Sequence, residues 1–270
     1  MSILACPVCM GPLHRGEKAF SCPKNHAYDI ARSGYVNLLL SHQMKTKLPG
    51  DNRQMVQART HFLNKGYYQL LADRLCDLAE SMQISGEVLD AGCGEGYYTE
   101  KLACRLTDAH LTGIDISKSA VEAAAKRTHG ADFIVGSLFH LPVRDRSCNA
   151  LATLFAPYCG EEFHRVLKKG GRMLRVIPGA RHLWELKELV YDQPYLNDVQ
   201  DYALQGFHFL ESVPVSGRIR LTSNEDIQSL FSMTPYAYKT SVEGARRLQE
   251  ANELETQIAF ELLVYQKQPL

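Results

Sequence analysis

"VLDAGCGEGYYTEKL", residues 88–102, runs an apolar strand into three alternate glycines and then into a helix. Gly92, Gly94 and Gly96 stand where glycine is most useful: the backbone can approach a ligand closely and present amide groups at a helix N-terminus. Asp90 lies on the strand and points into the loop, where it shapes a site for an amine-bearing ligand. Asp115 ends the next strand, 19 residues beyond Gly96, the position of an acid that binds the two hydroxyls of a ribose. The spacing is G-x-G-x-G, not the G-x-G-x-x-G of dinucleotide enzymes, which disfavours a nicotinamide oxidoreductase.

Outward from this loop the chain alternates strand and helix. Strands are expected at 87–92, 110–116, 131–137, 148–155 and 171–178, with helices at 97–106, "SAVEAAAKR" and "GEEFHRVLK" between them. Five strands separated by helices predict an α/β fold with a parallel, doubly wound sheet. Residues 180–205 read as one helix with an aromatic surface. "SGRIRLTS" and "IAFELLVYQK" read as strands flanking a helix at 224–233. Upstream, 40–52 is a polar linker ending at an N-cap, Asp51 or Asn52, and 53–82 is a helical pattern broken at Gly66.

A second pattern heads the chain. Cys6-x2-Cys9-x12-Cys22-x3-His26 supplies three thiolates and an imidazole in two short pairs, each containing a proline. Four N/S ligands favour tetrahedral zinc with no open position, hence a structural metal rather than a catalytic one. His14 is an alternative to His26, but the paired spacing favours His26. About 35 residues cannot bury a sufficient core alone, so Phe20 and Tyr28 are expected beside the metal. The other five cysteines are scattered, and clustered thiols without an export signal read as metal ligands, not disulfides.

Composition sets limits. The 270 residues are 45% hydrophobic and 22% charged, with 30 basic and 30 acidic side chains, which argues against a general polyanion binder. The charge is uneven: residues 1–75 carry a net +6 and the remainder −6. A nucleic acid would therefore meet the N-terminal part, through Lys24, Arg32, Lys45, Lys47, Arg53 and Arg59. No apolar run approaches a membrane span or a secretory h-region, so a cytoplasmic location and no membrane partner are expected.

The glycine loop with Asp90 and Asp115 resembles the first two motifs of Rossmann-like, class I S-adenosylmethionine-dependent methyltransferases over about residues 85–180. "LPVRDRSCNAL" resembles their connector into the fourth strand, with Cys148 and Asn149 in place of its aromatic and acid. The whole chain is similar to the bacterial 23S ribosomal RNA (guanine-N1)-methyltransferases. The similarity is carried by the Cys–Cys–Cys–His site, "HAYDIARSGYVNLL" (26–39), "PGDNRQMVQARTHFLNKGYY" (49–68), "DAGCGEGYYT" (90–99), "PGARHLWELK" (178–187) and "MTPYAY" (233–238).

That resemblance implies a zinc-binding RNA-recognition module at 1–35, linker and helices at 36–84, and a methyltransferase domain at 85–270. It implies S-adenosylmethionine as cofactor, a guanine of the 745 or 748 type in a domain II hairpin of 23S rRNA as acceptor, and a homodimer. Tyr68, Gly94, Glu95 and His182 would contact the cofactor, joining Asp90, Gly92, Gly96 and Asp115. His182 and Asp51 are candidate bases for the N1 proton, and Tyr158 is a candidate stacking residue. The alternatives are a small-molecule O- or C-methyltransferase braced by zinc and a non-enzymatic RNA-binding protein.

Overall fold

The computed structural model describes residues 2–44, 46, 49–198 and 201–269. Three short strands, β1 (His14–Arg15), β2 (Ala19–Ser21) and β3 (Ala27–Asp29), form a small antiparallel sheet, and β4 (Val36–Asn37) leads out of it. Helices α1 (Arg53–Asn64) and α2 (Gln69–Ser81) precede an alternation of β5 (Gly86–Ala91), α3 (Tyr97–Arg105), β6 (Ala109–Asp115), α4 (Lys118–Arg127), β7 (Ala131–Val135) and β8 (Cys148–Leu154). Then come α5 (Gly160–Val166), β9 (Leu167–Pro178), α6 (Trp184–Val190), β10 (Phe207–Leu221), α7 (Asn224–Ser232), α8 (Val242–Glu250) and β11 (Leu254–Lys267).

The eight-stranded sheet has the order β10-β11-β9-β8-β5-β6-β7-β4. Strands β9, β8, β5, β6, β7 and β4 run parallel, and apolar side chains fill both faces of its centre, as parallel strands covered by helices require. Strand β11 returns antiparallel against β9, and the long β10 pairs antiparallel with β11. The sheet is therefore mixed, and the purely parallel expectation holds only for its core. From β5 the chain moves to β6 on one side and later returns to β8 on the other. A crevice opens at the carboxyl end of such a reversal.

Local chemistry sets the helix limits. Asn52, not Asp51, caps α1 by accepting a hydrogen bond from the Met55 N–H at 3.0 Å. Gly66 adopts φ +80° and separates α1 from α2. The single helix expected over 180–205 is only α6; beyond Val190 the chain is irregular. Pro194 cannot continue a helix, and the buried Lys187 ammonium donates to the Tyr195 carbonyl at 2.9 Å and Asn197 Oδ1 at 2.7 Å, holding the segment open.

The N-terminal unit is stitched to the larger sheet. The Ala5 N–H donates to the Pro142 carbonyl at 2.9 Å, and the Arg144 N–H donates to the Ile3 carbonyl at 2.8 Å. Arg15 pairs with Asp132, and β4 lies beside β7. Leu4, Leu13 and Phe20 belong to the same apolar cluster as Leu89, Ile114 and Leu151 of the sheet. This answers the deficit of a 35-residue unit, which borrows core from its neighbour.

Gly96 shows how tightly the glycine loop is packed. It has φ +83°, and a Cβ there would lie 2.8 Å from the Ala124 Cβ and 3.0 Å from its Cα. Gly96→Ala adds both backbone strain and a clash between α3 and α4. Equilibrium urea unfolding should report a loss of about 2–4 kcal/mol; an unchanged midpoint would contradict this packing.

Candidate active site and metal centre

A cavity of about 580 Å³ opens at the carboxyl ends of β5, β6 and β8, within the size range of small-molecule sites. Tyr68, Asp90, Gly92, Gly94, Glu95, Asp115 and His182 all line it, as does Asp51. Gly96 is absent from its wall; it lies behind the loop against α4. Gly92 (φ +89°) faces the end of β8, where a Cβ would sit 2.4 Å from the Ala156 Cβ. No other residue fits between these two segments.

Three carboxylates surround the glycine turn. Asp90 is buried at the end of β5 and accepts from Thr99 Oγ1 at 2.5 Å, while its Oδ1 has no partner among the described residues. Burial, reinforced by the nearby Asp115 and Glu95 carboxylates and only partly offset by Thr99, pushes its pKa up to about 7. Glu95 is raised by burial against the opposing pull of Arg59, and its Oε1 is also unpartnered. Asp115 is raised by burial too, although it accepts from the Ser117 N–H at 2.8 Å and the Gly94 N–H at 3.1 Å. A buried carboxylate without a counterion is costly. The well therefore suits a ligand that carries positive charge and hydrogen-bond donors, and the buried Tyr98 hydroxyl, also unpartnered, adds a donor to the same wall.

The two candidate bases are engaged. Asp51 forms an ion pair with Arg59, and its carbonyl accepts from Ser117 Oγ at 2.6 Å and Ser119 Oγ at 3.0 Å. That places it at the β6 end, beside the expected ribose acid. His182 Nδ1 accepts from the Ala259 N–H at 3.2 Å, so the neutral ring carries its proton on Nε2, which faces Tyr68 Oη at 3.3 Å. Burial, with the nearby Lys187 ammonium, lowers the His182 pKa to about 3. Such a ring orients the Tyr68 hydroxyl toward the cavity but does not take up a proton near neutral pH.

Other parts of the site were not foreseen. Phe139 (61% exposed) and Phe155 (47% exposed) line the cavity, whereas Tyr158 is outside its wall, packed on Phe163 at 5.7 Å with Arg175 over its ring at 5.2 Å. Phe155 has φ +56°, a left-handed conformation that costs a bulky side chain about 1–2 kcal/mol. The sequence held one signal for it, "FAP" directly after the fourth strand. Arg59, expected among the RNA-facing cations, turns inward to Asp51; Lys24, Arg32 and Arg53 are exposed, and Lys45 and Lys47 lie outside the described residues.

The wall formed by Met233, Thr234, Pro235 and Tyr236 follows α7 and is anchored by Asp226. This buried carboxylate accepts from Lys65 Nζ at 2.7 Å, His61 Nε2 at 2.9 Å, Ser223 Oγ at 2.9 Å and Tyr67 Oη at 3.0 Å, joining α7 to the end of α1. Burial opposes ionisation, but these donors outweigh it and bring the pKa down to about 2.

At the N-terminus, one ligand atom each from Cys6, Cys9, Cys22 and His26 lies within 4.8 Å of the others. Cys9 and Cys22 Sγ are 3.7 Å apart, and His26 Nδ1 is 3.4 Å from both Cys6 and Cys22 Sγ. Tetrahedral zinc with bonds of about 2.3 Å to sulfur needs sulfur–sulfur edges of about 3.8 Å, so the four donors fit the ion. His14 belongs to β1 and not to this group.

Fold and cavity together define a class: this is an S-adenosylmethionine-dependent methyltransferase fold preceded by a zinc ribbon. Residues 88–175 match the model described as "Methyltransferase domain", and residues 4–47 match "RlmA, N-terminal". A Streptomyces fradiae protein named 23S rRNA (guanine(748)-N(1))-methyltransferase is 36% identical over 68% of this chain and 66% of its own length. A Micromonospora griseorubida protein provisionally named a 23S rRNA (guanine-N(1)-)-methyltransferase is 33% identical over 88% of this chain and 87% of that one. Bacillus subtilis YxjB, with the same provisional name, is 28% identical over 98% of both chains. The chain belongs to the 23S rRNA (guanine-N1)-methyltransferase family.

Two consequences can be measured. Asp226→Ala removes the acceptor shared by His61, Lys65 and Tyr67 and should cost about 2–3 kcal/mol at pH 7. Because the folded pKa lies below the unfolded value of about 3.9, the carboxylate's contribution is complete above that pH and fades as pH falls toward about 2. Urea midpoints of wild type and variant should therefore converge in acid, and a constant gap would contradict the assignment. Stripping zinc with a chelator should lower the melting temperature of the methyltransferase core by about 10 °C, since the two units share apolar packing. Core melting that ignores the metal would contradict that coupling.

Proposed function

We propose that this chain transfers a methyl group from S-adenosylmethionine to N1 of a guanine in a hairpin of 23S rRNA. The observation that carries the reading is the joint presence of a zinc ribbon and a cation-demanding cavity in one packed chain that the Micromonospora griseorubida relative matches over 88% of its length. Asp90, Glu95, Asp115 and the amides around Gly94 would hold the cofactor, with Tyr68, set by His182, and Tyr98 supplying hydroxyl donors. When bound, S-adenosylmethionine supplies an electrophilic methyl whose S–C bonding pair stays on sulfur as the N1–C bond forms.

Guanine N1 lies on the Watson–Crick edge, so the acceptor must be unpaired or drawn out of its stack to reach the cavity. The N1 proton leaves to water. Neither Asp51, paired with Arg59, nor the neutral His182 is disposed to receive it, and the chain's own contribution is to position the base. The chemistry belongs at the β8 end, because the ribose acid Asp115 lies on the opposite side of β5. The zinc held by Cys6, Cys9, Cys22 and His26 is structural, and the exposed Lys24, Arg32 and Arg53 are offered to the RNA backbone.

The homodimer implied by the resemblance belongs to the same proposal. Light scattering on the purified 30.3 kDa chain decides it through a mass of one or two subunits. The activity itself is tested by mapping N1-methylguanine in 23S rRNA from cells with and without the gene. The expected result is one methylated guanine in the domain II hairpin, present only with the gene, its position separating the 745 from the 748 type. An unchanged methylation map overturns the reading.

A further inference from the structure

We propose that Phe155 is the surface on which the acceptor base stacks, an assignment that rests on the guanine reading above. Phe155 follows β8 directly. It is one residue from Ala156, the point of closest approach to the glycine turn at Gly92. A group entering beside Phe155 is therefore at the end of the cavity where the transferred methyl emerges.

Three polar side chains at this end are already committed. Asn197 accepts from Lys187 Nζ at 2.7 Å and donates to the Gly179 carbonyl at 2.8 Å. Thr234 Oγ1 donates to the Phe231 carbonyl at 2.8 Å and accepts from the Tyr236 N–H at 3.3 Å. Both ring nitrogens of His182 are engaged. An acceptor arriving here meets a flat apolar ring and no unfilled polar side chain among these three, which favours a planar heteroaromatic over a sugar or a small hydroxylated molecule.

The ring itself is held for such a partner. One side rests on Phe260 at 5.6 Å, and Phe260 is gripped by Tyr68 at 5.0 Å and His182 at 4.6 Å. The Phe155 N–H donates to the Val176 carbonyl at 3.2 Å, fixing the backbone in its left-handed turn at φ +56°. A large apolar residue in a strained conformation, half exposed within a cavity, gains little for folding by being there. Strain of this kind concentrates at functional positions. The exposed side of the ring is a platform for a base.

The test is steady-state methylation of a domain II hairpin RNA by wild type, Phe155→Leu, Phe155→Gly and Phe155→Trp, with S-adenosylmethionine binding and thermal melting measured on each. Leu and Gly should lose about 10- to 100-fold in kcat/KM for RNA, the scale of one stacked base, while Trp stays within about threefold. Cofactor Kd should be unchanged in all. Phe155→Gly should melt no lower than wild type, since glycine accepts a positive φ freely. Leu or Gly variants with wild-type kcat/KM, a parallel loss of cofactor binding, or a destabilised glycine variant would each overturn the proposal. Failure of the guanine reading looks different: wild type itself would leave N1 unmethylated, and the assignment of Phe155 to that base would fall with it.

Discussion

Three carboxylates buried around one glycine turn are the constraint on which the rest of this molecule depends. Burial raises the pKa of Asp90, Glu95 and Asp115 alike, and the Asp115 and Glu95 carboxylates raise Asp90 further. Such a cluster survives only where donors are brought to it. Thr99 serves Asp90, the Gly94 and Ser117 amides serve Asp115, and α1 carries Arg59 to the rim beside Glu95. The atoms left without a partner among the described residues, Asp90 Oδ1 and Glu95 Oε1, define a ligand with positive charge and donor groups. The glycines are the reason the turn can be so crowded, since side chains at Gly92 or Gly96 would overlap Ala156 or Ala124.

Around that well, distant segments act as supports. The His182 imidazole is held by the β11 backbone and holds Tyr68; Asp226 draws α1 and α7 together and sets the wall that follows α7. The zinc ribbon is not a pendant either. Its Leu4, Leu13 and Phe20 share a core with the central strands, and Arg15 reaches Asp132 on β7. The metal-binding unit and the sheet that carries the cavity thus share continuous apolar packing.

Much of this was legible in the sequence where the chemistry is local. A strand running into alternate glycines, an acid at the next strand's end, and paired Cys/His spacings are short-range patterns, and apart from Gly96 they pointed to residues that the fold brings to the cavity or to the Cys/His cluster. The resemblance added Tyr68 and His182, whose ring contact depends on residues 114 positions apart and has no local signature. The same reason hid Asp226, whose partners lie on another helix. It also hid Lys187, which reads as a solvated helix charge yet is buried among Tyr195, Asn197 and Tyr236. Tyr158 looked the better stacking residue because aromaticity is visible in a sequence and backbone handedness is not; the positive φ at Phe155 turns that ring, not Tyr158, to the cavity. The antiparallel β10–β11 pair extended a sheet whose parallel core was evident from alternation alone.

The central claim is that the carboxylate well is built for a cation, and proton linkage tests it most directly. A cation binds the ionised form of Asp90, whose pKa in the free protein is about 7. Binding should therefore release protons, and affinity should rise with pH through this range. Calorimetric titration of S-adenosylmethionine at pH 6 and about 7.5, in buffers of different ionisation enthalpy, reads both quantities. The account predicts tighter binding at the higher pH, with proton release at the lower. Affinity that does not change with pH, together with heats that do not change with buffer, would contradict it.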